Sequence, residues 1–329
     1  MIGVTGANGL LGSFIVRKLL DLDEPFIAFK RNGSDVSLLS DVNDRIQWRD
    51  VDLLDPVSTE DALQGVTSII HSAARVSFNP RLAREITAVN VQGTRNLIDA
   101  ALANGIDRFI FISSVGALGR MKGQAVLDET NKWVDNAQHT VYATSKYLAE
   151  LEVFRGQEEG LQTLTLNPSV ILAPADWTKS SARLFKYVWD ERLFYIDGSL
   201  NYVDVRDVAT AACMALKSGI ENERFIVSAG SVSVREFFEA VAHRFGKRPP
   251  MVKLNKNLVK IVAGFETLRA RLHRSEPLIT AETARLADTR FQYQNDKIKN
   301  AFQLQFHPLE ETIDWCCQYY IRKFGGKPG

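Results

Sequence analysis

The sequence predicts an α/β protein, a doubly wound parallel sheet joined to a smaller, mostly helical C-terminal lobe. Short apolar runs alternate with longer segments of helical period through the first half, the pattern of stacked βαβ units. Three glycines at three-residue intervals separate the first such run from the first helical segment. After Asn167 the rhythm loosens, and from Ser233 onward the chain reads mostly as helix.

Taken in order, strands are expected near Ile2 to Thr5, Phe26 to Lys30, Ile46 to Arg49, Ser68 to His71, Arg108 to Ser113 and Thr163 to Leu166. Helices are expected between them: Leu10 to Leu20 first, Pro80 to Ala103 as the longest crossover, and Tyr142 to Glu158 after the fifth strand. Beyond Asn167 come a loop with Pro168 and Pro174, a helical stretch from Ala182 to Asp190, and YVDVRDVATAACMALKSG as loop and helix. RFIVSA reads as a strand, and Gly246 to Pro250 as a break. These patterns divide the chain into a nucleotide-type domain, residues 1–172 and 199–228, and a lobe, residues 173–198 and 229–329.

The 329 residues are 45% hydrophobic and 24% charged, so a disordered or disulfide-stapled chain is excluded. With 40 basic and 39 acidic residues there is no overall attraction to nucleic acid, and a polyanionic ligand must be met locally. Cys213, Cys316 and Cys317 cannot form an even framework and two are neighbours, which points to reduced thiols and a cytoplasmic protein. The opening MIGVTGA carries no basic leader, and no apolar stretch reaches the ~18–20 residues of a membrane span. Five histidines lie scattered without ligand spacing, so no metal is expected.

In VTGANGLLGS, Gly6, Gly9 and Gly12 suit a tight turn, backbone approach to a diphosphate, and close packing of helix on strand. The helix that starts near Gly9 turns free amides and a positive dipole end toward an anion. The strand FIAFK ends in Lys30 and Arg31, where an acidic residue would select an unphosphorylated ribose, so the expected cofactor is NADP(H), with NAD(H) as the other dinucleotide that fits the turn. Asp52 and Leu53, after the third strand, are placed to meet the adenine.

VYATSKYLAE sets Tyr142 and Lys146 four residues apart, on one face of a helix. A free phenol titrates near pH ~10, and neighbouring positive charge is expected to lower that value toward the range useful for acid–base work. FIFISSVGALG ends a strand in Ser113 and Ser114, and the hydroxyl of Ser114 is suited to hold a substrate oxygen beside Tyr142.

These segments together resemble the extended short-chain dehydrogenase/reductase superfamily, the NAD(P)-dependent epimerase/dehydratase family, over nearly the whole chain. The resemblance runs through VTGANGLLGS, VDLLD, IIHSAA, NVQGT, the SS pair, YATSK, NPSVILAP and YVDVRDVA in family order. It implies a Rossmann-type fold, with Tyr142 as proton donor or acceptor, Lys146 as its partner and nicotinamide-ribose ligand, and Ser114 as the carbonyl-orienting hydroxyl. It further implies that Gly6, Asn8, Gly9, Leu10 and Gly12 hold the diphosphate and that Asp52 and Leu53 meet the adenine. Ala73, Ala74 and Asn90 would line the cofactor, and Pro168 and Ser169 would flank its nicotinamide end. Dehydratases of the family carry an Asp-Glu pair after the serine position. Here Val115 and Gly116 stand there, so dehydration is not expected. The LNPSVILAP wording is similar to the dihydroflavonol reductase-like branch.

In the lobe, Leu254 to Leu272 has an amphipathic period suited to roofing an apolar pocket, packing on the lobe core or lying on a membrane surface. Trp177, Phe185, Tyr187 and Trp189 fall where the family builds its pocket. The expected activity is hydride transfer between NADP(H) and a carbonyl or secondary alcohol of a small, hydrophobic substrate. Two other readings stay open: a sugar-nucleotide epimerase, and a non-catalytic NADP(H)-sensing protein that binds a partner. The helices Pro80 to Ala103 and Tyr142 to Glu158 pair subunits in many family members, which makes a homodimer the expected assembly.

Overall fold

Seven short runs form one fully parallel sheet in the computed structural model, which describes all residues except 78–79, 122, 135–138, 178–180, 255–289 and 326–329. The strands are β1 (Ile2–Thr5), β2 (Phe26–Lys30), β3 (Trp48–Asp50), β4 (Ser68–His71), β5 (Arg108–Ile112), β7 (Gln162–Pro168) and β11 (Glu223–Val227), in spatial order β11-β7-β5-β4-β1-β2-β3. The order reverses between β1 and β4, which opens a crevice at the carboxyl ends of these two strands. Both faces are covered, which is why the central strands are apolar on both sides rather than alternating. Phe26 and Ala28 face one core, and Ile27 and Phe29 the other.

On the first face lie α1 (Leu10–Asp21) and α7 (Val205–Lys217), with Ile15, Val16 and Leu19 meeting Val208, Ala211 and Ala212. On the second face α2 (Pro56–Ala62), α4 (Gly93–Ala103) and α5 (Val141–Glu158) bury Leu97, Ile98, Ala149 and Val153 against Phe109 and Phe111. The anticipated crossover from Pro80 to Ala103 is not one helix. A 3₁₀ turn at Pro80–Leu82 leads into α3 (Ala83–Thr87), a π turn at Ala88–Gln92 and then α4. The π turn admits an extra residue, and it is here that Asn90 turns inward to bond Arg75 and Ser145.

The anticipated third strand shifts from Ile46–Arg49 to Trp48–Asp50, because Asn43–Arg45 forms a 3₁₀ turn closed by Ile46 N–H on Asn43 O. The segment expected as a loop before α7 is a strand, β10 (Ser199–Asp204), between β8 (Val170–Leu172) and β12 (Gly230–Ser233) in a separate three-stranded sheet. Two-residue strands β6 (Val126–Leu127) and β14 (Gln292–Tyr293) pair with each other, as do β9 (Phe194–Tyr195) and β13 (Val252–Lys253).

The lobe core lies between α6 (Ala182–Trp189), α8 (Val234–Phe245) and α10 (Leu309–Phe324), around Phe185, Phe237, Val241, Ile313 and Tyr320. Ser233 and Glu236 cap α8 reciprocally. The aromatics expected to wall a pocket are spent on this core. Trp177 stacks on Tyr320 at 3.9 Å, Trp189 meets Phe245 edge-on at 5.0 Å, Tyr187 stacks on Phe238 and Phe185 is fully buried. The helical pattern from Leu254 to Leu272 lies, beyond Leu254, outside the described residues. A further described helix, α9 (Asp296–Phe302), packs Ile298 and Phe302 into the first core beside Phe225.

Lobe and sheet are joined at α10. Trp315 meets Phe14 of α1 edge-on at 5.8 Å, and the Arg206 guanidinium lies 4.4 Å above the same indole. Arg206 pairs at 2.7 Å with the fully buried Asp204, which also accepts from Thr312 of α10. Cys213, Cys316 and Cys317 are buried and unpaired, and burial pushes their thiols above the usual range, which makes them poor nucleophiles.

At the other end of the sheet, Arg108 opens β5 and sends its fork to Ala215 O at 2.7 Å, Ser218 Oγ at 3.0 Å and Ile220 O at 2.6 Å, fixing the turn after α7. Replacing it takes a charged donor from all three, with Ser218 Oγ left as a donor to Ala215 O. Arg108→Met is expected to lower unfolding free energy by about 2–4 kcal/mol in urea titrations.

Candidate active site

The turn between β1 and α1 is built on two close approaches. Gly6 has φ +65°, and a Cβ there would stand 2.7 Å from the Ala73 backbone. A Cβ on residue 12 would stand 1.9 Å from Gly6 O, so α1 lies against the turn at a distance only glycine allows. Gly9 N–H closes the turn on Gly6 O at 2.9 Å, and Gly9, as the N-cap of α1, supplies no side-chain cap to its amides. The Asn8 amide donates to Asp35 O at 3.0 Å, tying the turn to the loop after β2. Leu10 packs against the lobe core.

Beside this turn, Arg31, Asn32, Asp50, Val51, Asp52 and Ser58 line a cleft of about 400 Å³. Lys30, expected to serve there as a free cation, instead gives its ammonium to Asp50 at 2.6 Å, a strand-to-strand pair across β2 and β3. Arg31 is exposed at the rim. Asp52 folds one carboxylate oxygen back onto Leu54 N–H at 3.0 Å, and Leu53 O accepts from Asn96 at 2.8 Å.

In the crevice, Ala73 N–H donates to Thr5 Oγ1 and heads a chain of polar groups. Thr5 Oγ1 lies 2.6 Å from His71 Nδ1, His71 Nε2 lies 3.0 Å from Thr94 Oγ1, and Thr94 donates to Asn90 O. Since the Thr94 proton goes to Asn90, the imidazole must carry its own proton on Nε2 and accept from Thr5 on Nδ1. It is neutral, and burial with the Lys146 charge nearby brings its pKa down to about 3. The Asn90 side chain is engaged with Arg75 N and O at 2.7 and 3.1 Å and with Ser145 at 2.9 Å. Asn90, expected to line the cofactor, thus holds the loop that follows Ala73 and Ala74 and steadies α5.

Ser114 closes β5 as the cap of a 3₁₀ turn, its Oγ accepting from Gly116 N–H at 3.1 Å. Its hydroxyl also hydrogen-bonds the Tyr142 phenol. Burial raises that phenol and the Ser114 bond offsets part of the rise, leaving it pushed up to about 12, opposite to the lowering expected from the sequence. Lys146 is 3% exposed. Its ammonium donates to Ile112 O at 2.8 Å and sits 4.7 Å above the Phe111 ring. Burial brings it down to about 8 against the pull of Glu150.

At the end of β7, Pro168 lies in the sheet beside Val227, and the Ser169 hydroxyl is buried without a partner among the described residues, as are Asn167 Oδ1, Asn201 Oδ1 and Ser228 Oγ. His71, Ser145, Glu150 and Asn167 escaped the sequence reading. Glu150 alone carried a signal, being four residues past Lys146, whereas the others reveal themselves only through partners far along the chain. Among the described residues no cluster of His, Cys, Asp or Glu could hold a metal, and no helix is long and apolar enough to cross a membrane.

A family model described as the NAD dependent epimerase/dehydratase family matches residues 2–228. The chain belongs to that family. It is an NAD(P)-dependent enzyme of the extended short-chain dehydrogenase/reductase type. The chain is 30% identical over 262 residues to sterol demethylase protein B of Methylococcus capsulatus, covering 79% of each chain. It is 28% identical over 269 residues to cinnamoyl-CoA reductase 1 of Oryza sativa subsp. japonica, covering 77% of this chain and 78% of the relative. The crystal structure of gox2253 superposes with a TM-score of 0.85 at 30% identity, covering 99% of both chains.

Within this epimerase/dehydratase-family site, folding holds His71 neutral. Its stabilising contribution is therefore full above the ordinary value of 6.5 and is lost as pH falls toward about 3. The expected slope is about 1.4 kcal/mol per pH unit in that window. Urea titrations between about pH 4 and 6 should show it for the wild type and a flatter dependence for His71→Asn.

Proposed function

We propose that the protein is an NADP(H)-dependent oxidoreductase acting on a carbonyl or secondary alcohol of a small, hydrophobic substrate. The observation that carries this reading is the phenol of Tyr142 hydrogen-bonded to Ser114, with the Lys146 ammonium on the next turn of the same helix. Substrate oxygen bound at Ser114 Oγ would lie within reach of the Tyr142 proton, and the Lys146 charge favours the phenolate left behind.

The residues present fit the dinucleotide. The turn is packed so closely that a Cβ at Gly6 or Gly12 would collide with backbone, and it delivers the start of α1, where the N-cap Gly9 supplies no side-chain cap, as a place for an anion. The Ser169 hydroxyl, buried without a partner among the described residues, leaves an unmatched polar group at the end of β7. Gly6, Asn8, Gly9, Leu10 and Gly12 would hold the diphosphate, Asp52 and Leu53 the adenine, Ala73 and Ala74 the cofactor flank, Lys146 the nicotinamide ribose, and Pro168 and Ser169 the nicotinamide end. Hydride transfer is the chemistry the nicotinamide supplies when bound.

Arg31 is assigned the 2′-phosphate, since Lys30 is committed to Asp50. Two relatives named for a sterol and for cinnamoyl-CoA support a substrate with an apolar body. Val115 and Gly116 after Ser114 offer no acid or base for dehydration. Residues 1–172 and 199–228 are assigned to cofactor binding, and 173–198 with 229–329 to the substrate. The buried thiols suit a reducing, cytoplasmic compartment. Exposed Leu148, Leu151 and Phe154 on α5 support a homodimer.

Turnover is tested by NADPH absorbance with a panel of carbonyl compounds, where net consumption separates a reductase from an epimerase. Tyr142→Phe should bind NADPH as the wild type does while turnover falls by about 10²- to 10⁴-fold. Arg31→Ala should weaken NADPH about tenfold and leave NADH affinity unchanged, measured by quenching of protein fluorescence.

A further inference from the structure

Four residues beyond Lys146 on α5 stands Glu150, 2% exposed. A carboxyl group so far from water requires partners, and Glu150 draws them from three strands. Ser113, at the end of β5, lies with its hydroxyl 2.5 Å from Oε1. Asn167, in β7, donates Nδ2 to the same oxygen at 2.6 Å, and Arg224, in β11, approaches Oε2 at 3.4 Å. Arg224 also donates to Glu129 O and Asn131 O, so its guanidinium is fixed from the far side. Burial pushes the Glu150 carboxyl upward, while Ser113, Asn167, Arg224 and Lys146 all pull it back toward the ionised form. The surrounding groups are all able to donate, the arrangement a carboxylate accepts.

The same network reaches every candidate reaction group. Lys146 grips Ile112 O at 2.8 Å, Glu150 grips the hydroxyl of Ser113, and the Asn167 amide that Glu150 holds also donates to Ser114 O at 2.9 Å. Three consecutive residues at the β5 end are thus held, two of them from α5 by side chains one helical turn apart and the third from β7.

We propose, resting on the roles given above to Ser114, Tyr142 and Lys146, that Glu150 is a positioning residue whose carboxylate locks the β5 end against α5 and holds Lys146 as an ammonium. The groups facing Lys146 leave that part to Glu150. His71, from β4, is neutral, Phe111 and Ile112 of β5 offer a ring face and a carbonyl, and Tyr142 on α5 keeps its proton. Arg224, from β11, pairs with Oε2 of the same carboxylate. Glu150 is the group that holds the Lys146 pKa up against burial.

The test is the titration of Lys146 in ligand-free protein, followed by NMR of ¹³C-labelled lysine side chains with Lys146→Arg identifying the signal. Glu150→Gln should lower the Lys146 midpoint by about one pH unit. The pH above which NADPH affinity declines should fall with it, a readout that a merely structural role would leave in place. The double variant Glu150→Gln with Arg224→Gln removes both charges, avoids an unmatched buried guanidinium, and should shift the midpoint the same way. An unchanged midpoint in a variant that melts like the wild type overturns the proposal, as does failure of both variants to fold, which would make Glu150 structural alone. Absence of NADPH binding by the wild type would strike the proposed function and leave the titration to decide this one.

Discussion

A lysine ammonium 3% exposed is the demand around which the site is arranged. Water is the cheapest partner for a cation, and its removal must be offset by dipoles, rings or opposite charge held in fixed places. Here the offsets are the Ile112 carbonyl, the Phe111 face and the buried Glu150, and each belongs to an element already fixed by the sheet. Because β5 and β7 run side by side with Ile112 opposite Leu166, Asn167 follows opposite Ser113 and its amide reaches Ser114 O without any loop having to place it. Rigidity around Ser114 and Lys146 is thus inherited from strand register.

The crevice between β1 and β4 obeys a different constraint, closeness of backbone. Gly12 lets α1 lie on the turn, and Gly6 lets the turn lie on Ala73. Around that contact the polar wire Thr5–His71–Thr94–Asn90 fills the interior where an apolar side chain would otherwise pack. Asn90 ends the wire and begins the clasp on Arg75 and Ser145, so the crevice and α5 share one hydrogen-bonded frame.

Much of this was legible in the residues. β1, β2 and β4 have the anticipated bounds because short apolar runs between turn residues admit little else. Tyr142 and Lys146 were legible from helical spacing and Ser114 from its place at a strand end. β3 was displaced because Trp48 and Arg49 are only half-buried, so the apolar pattern that marks a covered strand is weak there. β10 was unreadable because its inward positions include Asn201 and Asp204, polar residues whose partners, Phe291 and Thr312, lie about a hundred residues away. The commitment of Lys30 to Asp50 and of Asn90 to Arg75 is likewise a fact of register and of a π turn, and a residue-by-residue scan sees only two side chains suited to a cofactor. Trp177, Tyr187 and Trp189 misled because pocket walls and lobe cores use the same aromatic residues.

The lobe core has a temporal side. Its middle is Tyr320, whose hydroxyl accepts from Ala175 N–H across 145 residues of chain, and Trp177 lies flat on the same ring. During synthesis α6 and α8 emerge long before α10, with Phe185 and Phe237 as yet uncovered. The sheet, whose seven strands are complete by Val227, can settle while the lobe still waits. Nascent chains halted short of α10 should therefore be the ones that need chaperone shelter, for their folded half carries an apolar surface built for a helix not yet made.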